Sequence, residues 1–120
     1  MMNRSDAVAV IESTSEAIGM PVQKFRLAPR QGHARRLSHS ISIPRVALTL
    51  SEAYCIYYIC HELAHLVVFR LGCIGDSCSH GPIFKREEQR LCKFWGVEIT
   101  GYDSPGSKGA YPRRDQVRMI

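Results

Sequence analysis

Five consecutive residues, His61-Glu62-Leu63-Ala64-His65, carry the clearest chemistry in this chain of 120 residues. On a helix, a spacing of four stacks the two imidazoles one turn apart on one face. That is the separation two ligands of a single tetrahedral zinc need. The Glu beside the first His then lies next to the metal rather than on it. There it can take a proton from an activated water and hand it on. The surroundings support this reading. His61, Glu62 and His65 are the strongly polar residues of an otherwise apolar stretch, residues 53–69. Buried polar groups cost free energy unless satisfied, and one metal satisfies two imidazoles at once. The bland alternative is a pair of core histidines hydrogen-bonded to backbone or tyrosine.

Zinc needs a third protein ligand. An HExxHxxGxxH site would require Gly and His where the chain has Val68 and Leu71, and Leu71 also breaks an HxxxHxxxxxH spacing. His80 remains, together with Glu87, Glu88 and Glu98 on or after the next helix. His80 is preferred. It stands at the mouth of a new helix, and a tight turn in the loop at residues 73–79 would bring that mouth back to the first histidine pair.

The elements that must position these groups can be read from pattern. Residues 5–18 predict a helix with Ser5 as cap and Ala7, Val8, Ile11 and Ile18 on one face, stopped by Gly19 and Pro21. Alternation predicts a strand over residues 22–27 and a second from Leu37 through Ile41 and Ile43, with residues 29–36 as a polar turn. Residues 46–49 suggest a third strand at a sheet edge, after the interruption at Pro44. Thr49 and Glu52 fit a capping box for the histidine helix, which should run to about Leu71. Being apolar nearly all round, it reads as a central helix. His80-Gly81-Pro82 opens another helix that ends near Trp95 with Gly96 as the stop, and residues 97–100 suggest a short strand. The predicted class is α+β, with a leading helix, about three strands, the histidine helix and a following helix. Residues 1–100 would form the working domain. Residues 101–120 read as a tail, ordered only if it packs or binds something.

His61-Glu62-Leu63-Ala64-His65, followed at this distance by His80-Gly81-Pro82-Ile83-Phe84-Lys85, resembles the SprT-like zinc metallopeptidase domain. The resemblance covers roughly residues 37–95. Family members carry HExxH and a downstream HGxxF or HGxxW. The resemblance implies a small zincin-like domain, Zn²⁺ held by His61, His65 and His80, and Glu62 as catalytic base. The family includes Spartan-type proteases, which degrade proteins crosslinked to DNA. Many relatives continue into a zinc ribbon with two CxxC pairs; this chain contains no CxxC. So short a version fits a phage or mobile-element gene.

Other residues carry secondary expectations. Glu88 falls within the apolar stripe of Phe84, Leu91, Cys92 and Trp95. It could orient a ligand imidazole, although a Glu so placed more often sits at the stripe's edge and reaches water. Tyr54 and Tyr58 share a helix face with the two histidines; an oxyanion role is open to them, but packing is the favoured reading. Cys73 and Cys78 bracket the loop before His80, and free thiols are expected there in a reducing compartment. Cys55, Cys60 and Cys92 read as small core residues.

The formal charge is +5 and the isoelectric point near 9.1. Residues 17–51 contain no acid but carry Lys24, Arg26, Arg30, Arg35, Arg36 and Arg45, besides His33 and His39. That makes a candidate DNA-binding face as good a reading as a solvated surface. The alternative to an enzyme is therefore a nucleic-acid-binding module with a structural zinc site. The N-terminus lacks a secretory pattern, and the longest apolar run is too short and too polar for a membrane span, so a cytoplasmic setting is expected, the host's if the gene is a phage's.

Overall fold

The computed structural model describes residues 2–22, 24–73 and 79–120. Helix α1 spans Arg4–Ile18 and starts with a reciprocal capping box. The Asn3 side chain accepts from the Asp6 N–H, and the Asp6 carboxylate accepts from the Asn3 N–H, both at 2.9 Å. The cap is thus Asn3 and not Ser5, because only Asn3 has the acid three positions on that closes the box. Ala7, Val10, Ile11 and Thr14 face the core.

The alternating segments form a three-stranded sheet of β1 (Lys24–Ala28), β2 (His33–Arg35) and β3 (Ser40–Pro44), in the order β1-β3-β2. β1 runs parallel to β3, with Phe25 opposite Ile41 and Leu27 opposite Ile43. β2 runs antiparallel to β3, with Ala34 opposite Ile41. Ile41 and Ile43 are buried beneath the sheet. The expected polar turn over residues 29–36 therefore contains a strand, whose polar outer residues hid it. The strand expected from Leu37 begins only at Ser40. Leu37 is fully exposed and His39 adopts φ 51, so residues 36–39 are a turn. Residues 46–49 are not a strand either. Both edges of β3 are already taken, and the chain closes locally into a 3-10 helix, Arg45–Thr49.

Helix α2 spans Glu52–Arg70. Ser51 caps it, accepting from the Tyr54 N–H at 3.2 Å. The predicted cap, Thr49, instead turns its hydroxyl back to the Val46 carbonyl at 2.7 Å. Twelve of its residues, Ala53 and Leu66 among them, are buried, and α2 touches α1, α3 and both sheets. It is the axis on which the other elements pack. Helix α3 spans Pro82–Phe94, with Gly81 as cap and Pro82 in the first turn. Its buried face is Phe84, Glu88, Leu91 and Cys92. The Trp95 indole N–H donates to Thr14 at 2.8 Å and ties the end of α3 to α1.

Strand β4 (Val97–Ile99) pairs antiparallel with β5 (Val117–Met119), Ile99 opposite Val117. The segment after residue 100 thus packs back on the body. Gln116 pins it at the base: its amide oxygen accepts from the N–H groups of Asp103 and Arg113, both at 2.9 Å. Among the described residues no helix is long and apolar enough to cross a membrane.

Candidate metal centre

One turn of α2 brings the His61 and His65 rings to a centroid separation of 5.0 Å, nearly perpendicular. His80 joins them from the residue before the α3 cap. It sits at φ 66, a left-handed conformation that costs a β-substituted residue about 1–3 kcal/mol and is characteristic of functional sites. Its Nε2 lies 3.3 Å from His61 Nε2. One ring nitrogen from each of His61, His65 and His80 lies within 4.8 Å of the others. Ligands ~2.05 Å from a tetrahedral zinc are themselves ~3.3 Å apart. The His61–His80 pair stands at that spacing and the third donor lies within 4.8 Å, so the set could hold a metal ion.

His61 is oriented from behind. Its Nδ1 is 2.5 Å from Glu88 Oε2, with the Tyr57 hydroxyl more distant at 3.4 Å. The other Glu88 oxygen accepts from the Tyr102 O–H at 3.0 Å, and Tyr102 accepts in turn from Gln89 at 3.1 Å. Engaging Nδ1 leaves Nε2 to face the cluster. Glu88 is fully buried, so it does not sit at the stripe's edge reaching water. The expected preference is corrected: α3 lies too close against α2 for water to reach it. Glu87 pairs with Arg90 and Glu98 with Arg118 at the surface, so neither joins the cluster.

Glu62 is 4 % exposed and opens on a cleft of about 460 Å³ that also contains the three histidines and runs along β2. Gly32 makes this approach feasible. A Cβ there would stand 2.6 Å from Glu62 Oε2 and 2.7 Å from the Ser42 carbonyl. Burial, then the nearby Glu88 charge, pushes Glu62 up to about 8. Burial raises Glu88 to about 8 as well, opposed by the Tyr102 hydrogen bond. Burial holds His61 down at about 3. Burial, then His61 and His80, does the same to His65, and His80 is lowered too. All three rings are thus neutral and keep a lone pair for a cation near neutral pH.

Tyr54, Tyr57 and Tyr58 pack on one another with ring centroids 5.2–6.3 Å apart, which is the favoured packing role for Tyr54 and Tyr58. Four contributors escaped the sequence reading: Gly32, Tyr57, Tyr102 and Tyr111. Tyr111 packs on His61 and His80, at 5.1 and 5.3 Å. Two tyrosines in an otherwise Gly- and Ser-rich stretch were the available signal.

Lys24, Arg26, His33 and Arg35 share the outer sheet face in two rows, Lys24–Ser40–Arg35 and Arg26–Ser42–His33. Among the described residues no acid pairs with them. Arg30 lies in the β1–β2 loop, Arg45 opens the 3-10 helix, and Arg36 reaches the cleft. Cys55, Cys60 and Cys92 are buried free thiols. Cys73 is disulfide-bonded, which corrects the expectation of a free thiol; a compartment argument does not decide local geometry. Cys78 lies outside the described residues.

Three histidines that could hold a metal ion thus stand beside a buried carboxylate in a small α+β domain. The particular family follows from sequence. The chain belongs to the SprT-like family, whose sequence profile matches residues 9–103. No curated protein and no solved structure matches it.

Proposed function

We infer that the chain is a zinc-dependent peptidase. The observation that carries this is the convergence of three neutral imidazoles, their ring nitrogens within 4.8 Å of one another and one pair at 3.3 Å, beside Glu62, whose carboxylate opens on the same cleft. His61, His65 and His80 would hold zinc through ring nitrogens, with His61 steadied by Glu88. Zinc held there would supply Lewis acidity toward the scissile carbonyl and the attacking water. With a cation beside it favouring its ionised form, Glu62 would take the proton of the attacking water and deliver it to the leaving amine nitrogen. β2 is an edge strand beside the cleft, so an extended peptide can hydrogen-bond to it as an added strand.

A closed structural site would call for a fourth ligand. Among the described residues the cluster comprises three histidines, and Cys73, being disulfide-bonded, offers no thiolate. That favours a site with a position open to water.

The unpaired basic rows support a second element of the reading, contact with DNA and action on DNA-associated proteins. Binding through phosphates would weaken steeply with salt. The decisive test of the enzyme is Glu62→Gln, which should keep zinc and lose casein cleavage. Cleavage that persists removes Glu62 as the base. Equal zinc in the wild type and in a His61→Ala/His65→Ala double variant removes the metal site.

A further inference from the structure

Peptide hydrolysis has a second electrostatic demand beyond the base. When the water oxygen bonds to the carbonyl carbon, the π pair moves onto the carbonyl oxygen. That oxyanion needs a donor placed in advance. When it collapses, the C–N bond breaks and the nitrogen leaves with the proton Glu62 took. Four phenols near His61 could supply the donor, and their partners sort them. Tyr57 lies against His61 Nδ1, and Tyr102 gives its proton to Glu88. Tyr58 stands beside Gly32 within the packed tyrosine group and is not among the residues lining the cleft with the histidines. Tyr111 lines the cleft with all three histidines and Glu62, and its hydroxyl makes no hydrogen bond to the described residues.

Its backbone is held. The Tyr111 carbonyl accepts from the Ser104 N–H at 3.0 Å, and its own N–H donates to the Ser107 hydroxyl at 3.4 Å. Gln116 ties down both ends of the strap that carries it. The phenol therefore comes from a fixed segment, which is what preorganised stabilisation requires.

We propose that Tyr111 is a catalytic residue whose hydroxyl donates a hydrogen bond to the oxyanion formed at this site. The proposal rests on the peptidase reading above. Tyr111→Phe keeps the ring against His61 and His80 and removes only the donor. Wild type and variant, loaded with Co²⁺ and matched for metal content, are titrated with inorganic phosphate as a tetrahedral oxyanion while cobalt absorption is followed. Phosphate should bind the variant about 10-fold more weakly. Casein turnover should fall about 100-fold in kcat, with KM within about twofold. Tyr111→His, which restores a donor, should recover part of both losses. Phosphate affinity unchanged in Tyr111→Phe overturns the proposal whatever the rate does, and so does a variant that fails to hold cobalt. If wild type leaves casein intact, the peptidase reading fails, and the phosphate titration still decides whether Tyr111 donates into the site.

Discussion

Replacing Glu88 by Gln separates the two jobs of a buried carboxyl. Without a cation, burial holds Glu88 up at about 8, so at pH 7 it is a neutral acid. A neutral amide of the same shape should then change the stability of the metal-free protein little. The metal-bound state is different. With an ion on Nε2, His61 must keep its proton on Nδ1, and the group 2.5 Å away must accept it. A carboxylate does this with charge; an amide oxygen does it without. Losing such a partner costs 10- to 100-fold in metal affinity, or about 1.4–2.7 kcal/mol. The amide NH₂ must also face the Tyr102 hydroxyl, which then turns from donor to acceptor. Zinc affinity is measured by competition with a chromophoric chelator, and unfolding is followed on the metal-free protein. Glu87→Gln, one residue away but paired to Arg90 at the surface, serves as control and should change neither. A Glu88→Gln variant that binds zinc within about twofold of wild type refutes the role given to Glu88.

Further outcomes follow from the same geometry. The metal-free protein should be most stable between about pH 4.5 and 6.5. His61 and His65, held near 3 when folded, cost stability as pH falls below their unfolded value of 6.5. Glu62 and Glu88, raised from 4.5 to about 8, stabilise fully below 4.5 and lose that contribution as pH rises through 8. Melting temperatures in chelator that climb steadily from pH 5 to 8 would contradict this. Gly32→Ala should destabilise by about 1–3 kcal/mol and abolish cleavage while zinc is retained, because the Ser42 carbonyl 2.7 Å from the new Cβ cannot yield; urea unfolding and zinc content check both parts. Ser51→Ala should cost about 1 kcal/mol through the lost cap of α2, read by the same unfolding curves.

The site was more legible than the frame around it. His61, Glu62 and His65 lie within one helical turn, so their convergence is a local property of sequence. His80 came from its place before a helix start. The left-handed turn that aims it depends on long-range packing, which no local pattern carries. Glu88 was visible as a polar residue in an apolar stripe. Its burial became clear only when α3 lay against α2. Tyr111, Tyr102 and Gly32 act through contacts between distant segments. The Gly- and Ser-rich composition around the two tyrosines looks like a tail until β5 pairs with β4. β2 was missed for a related reason: its outward residues are His33 and Arg35, and three residues are too few for alternation to show. The 3-10 helix took the place of a strand because Val46 and Leu48 have strand propensity but follow directly on β3, both of whose edges are already taken by β1 and β2.

The central claim is that three imidazoles, one from a separate helix start, hold a single zinc with a position left for water. X-ray absorption on the zinc-loaded protein tests it most directly. Three imidazole nitrogens and one further light atom are expected at ~2.0–2.1 Å, falling to two imidazoles in His80→Ala. A sulfur shell at ~2.3 Å, or an unchanged imidazole count in that variant, would contradict it.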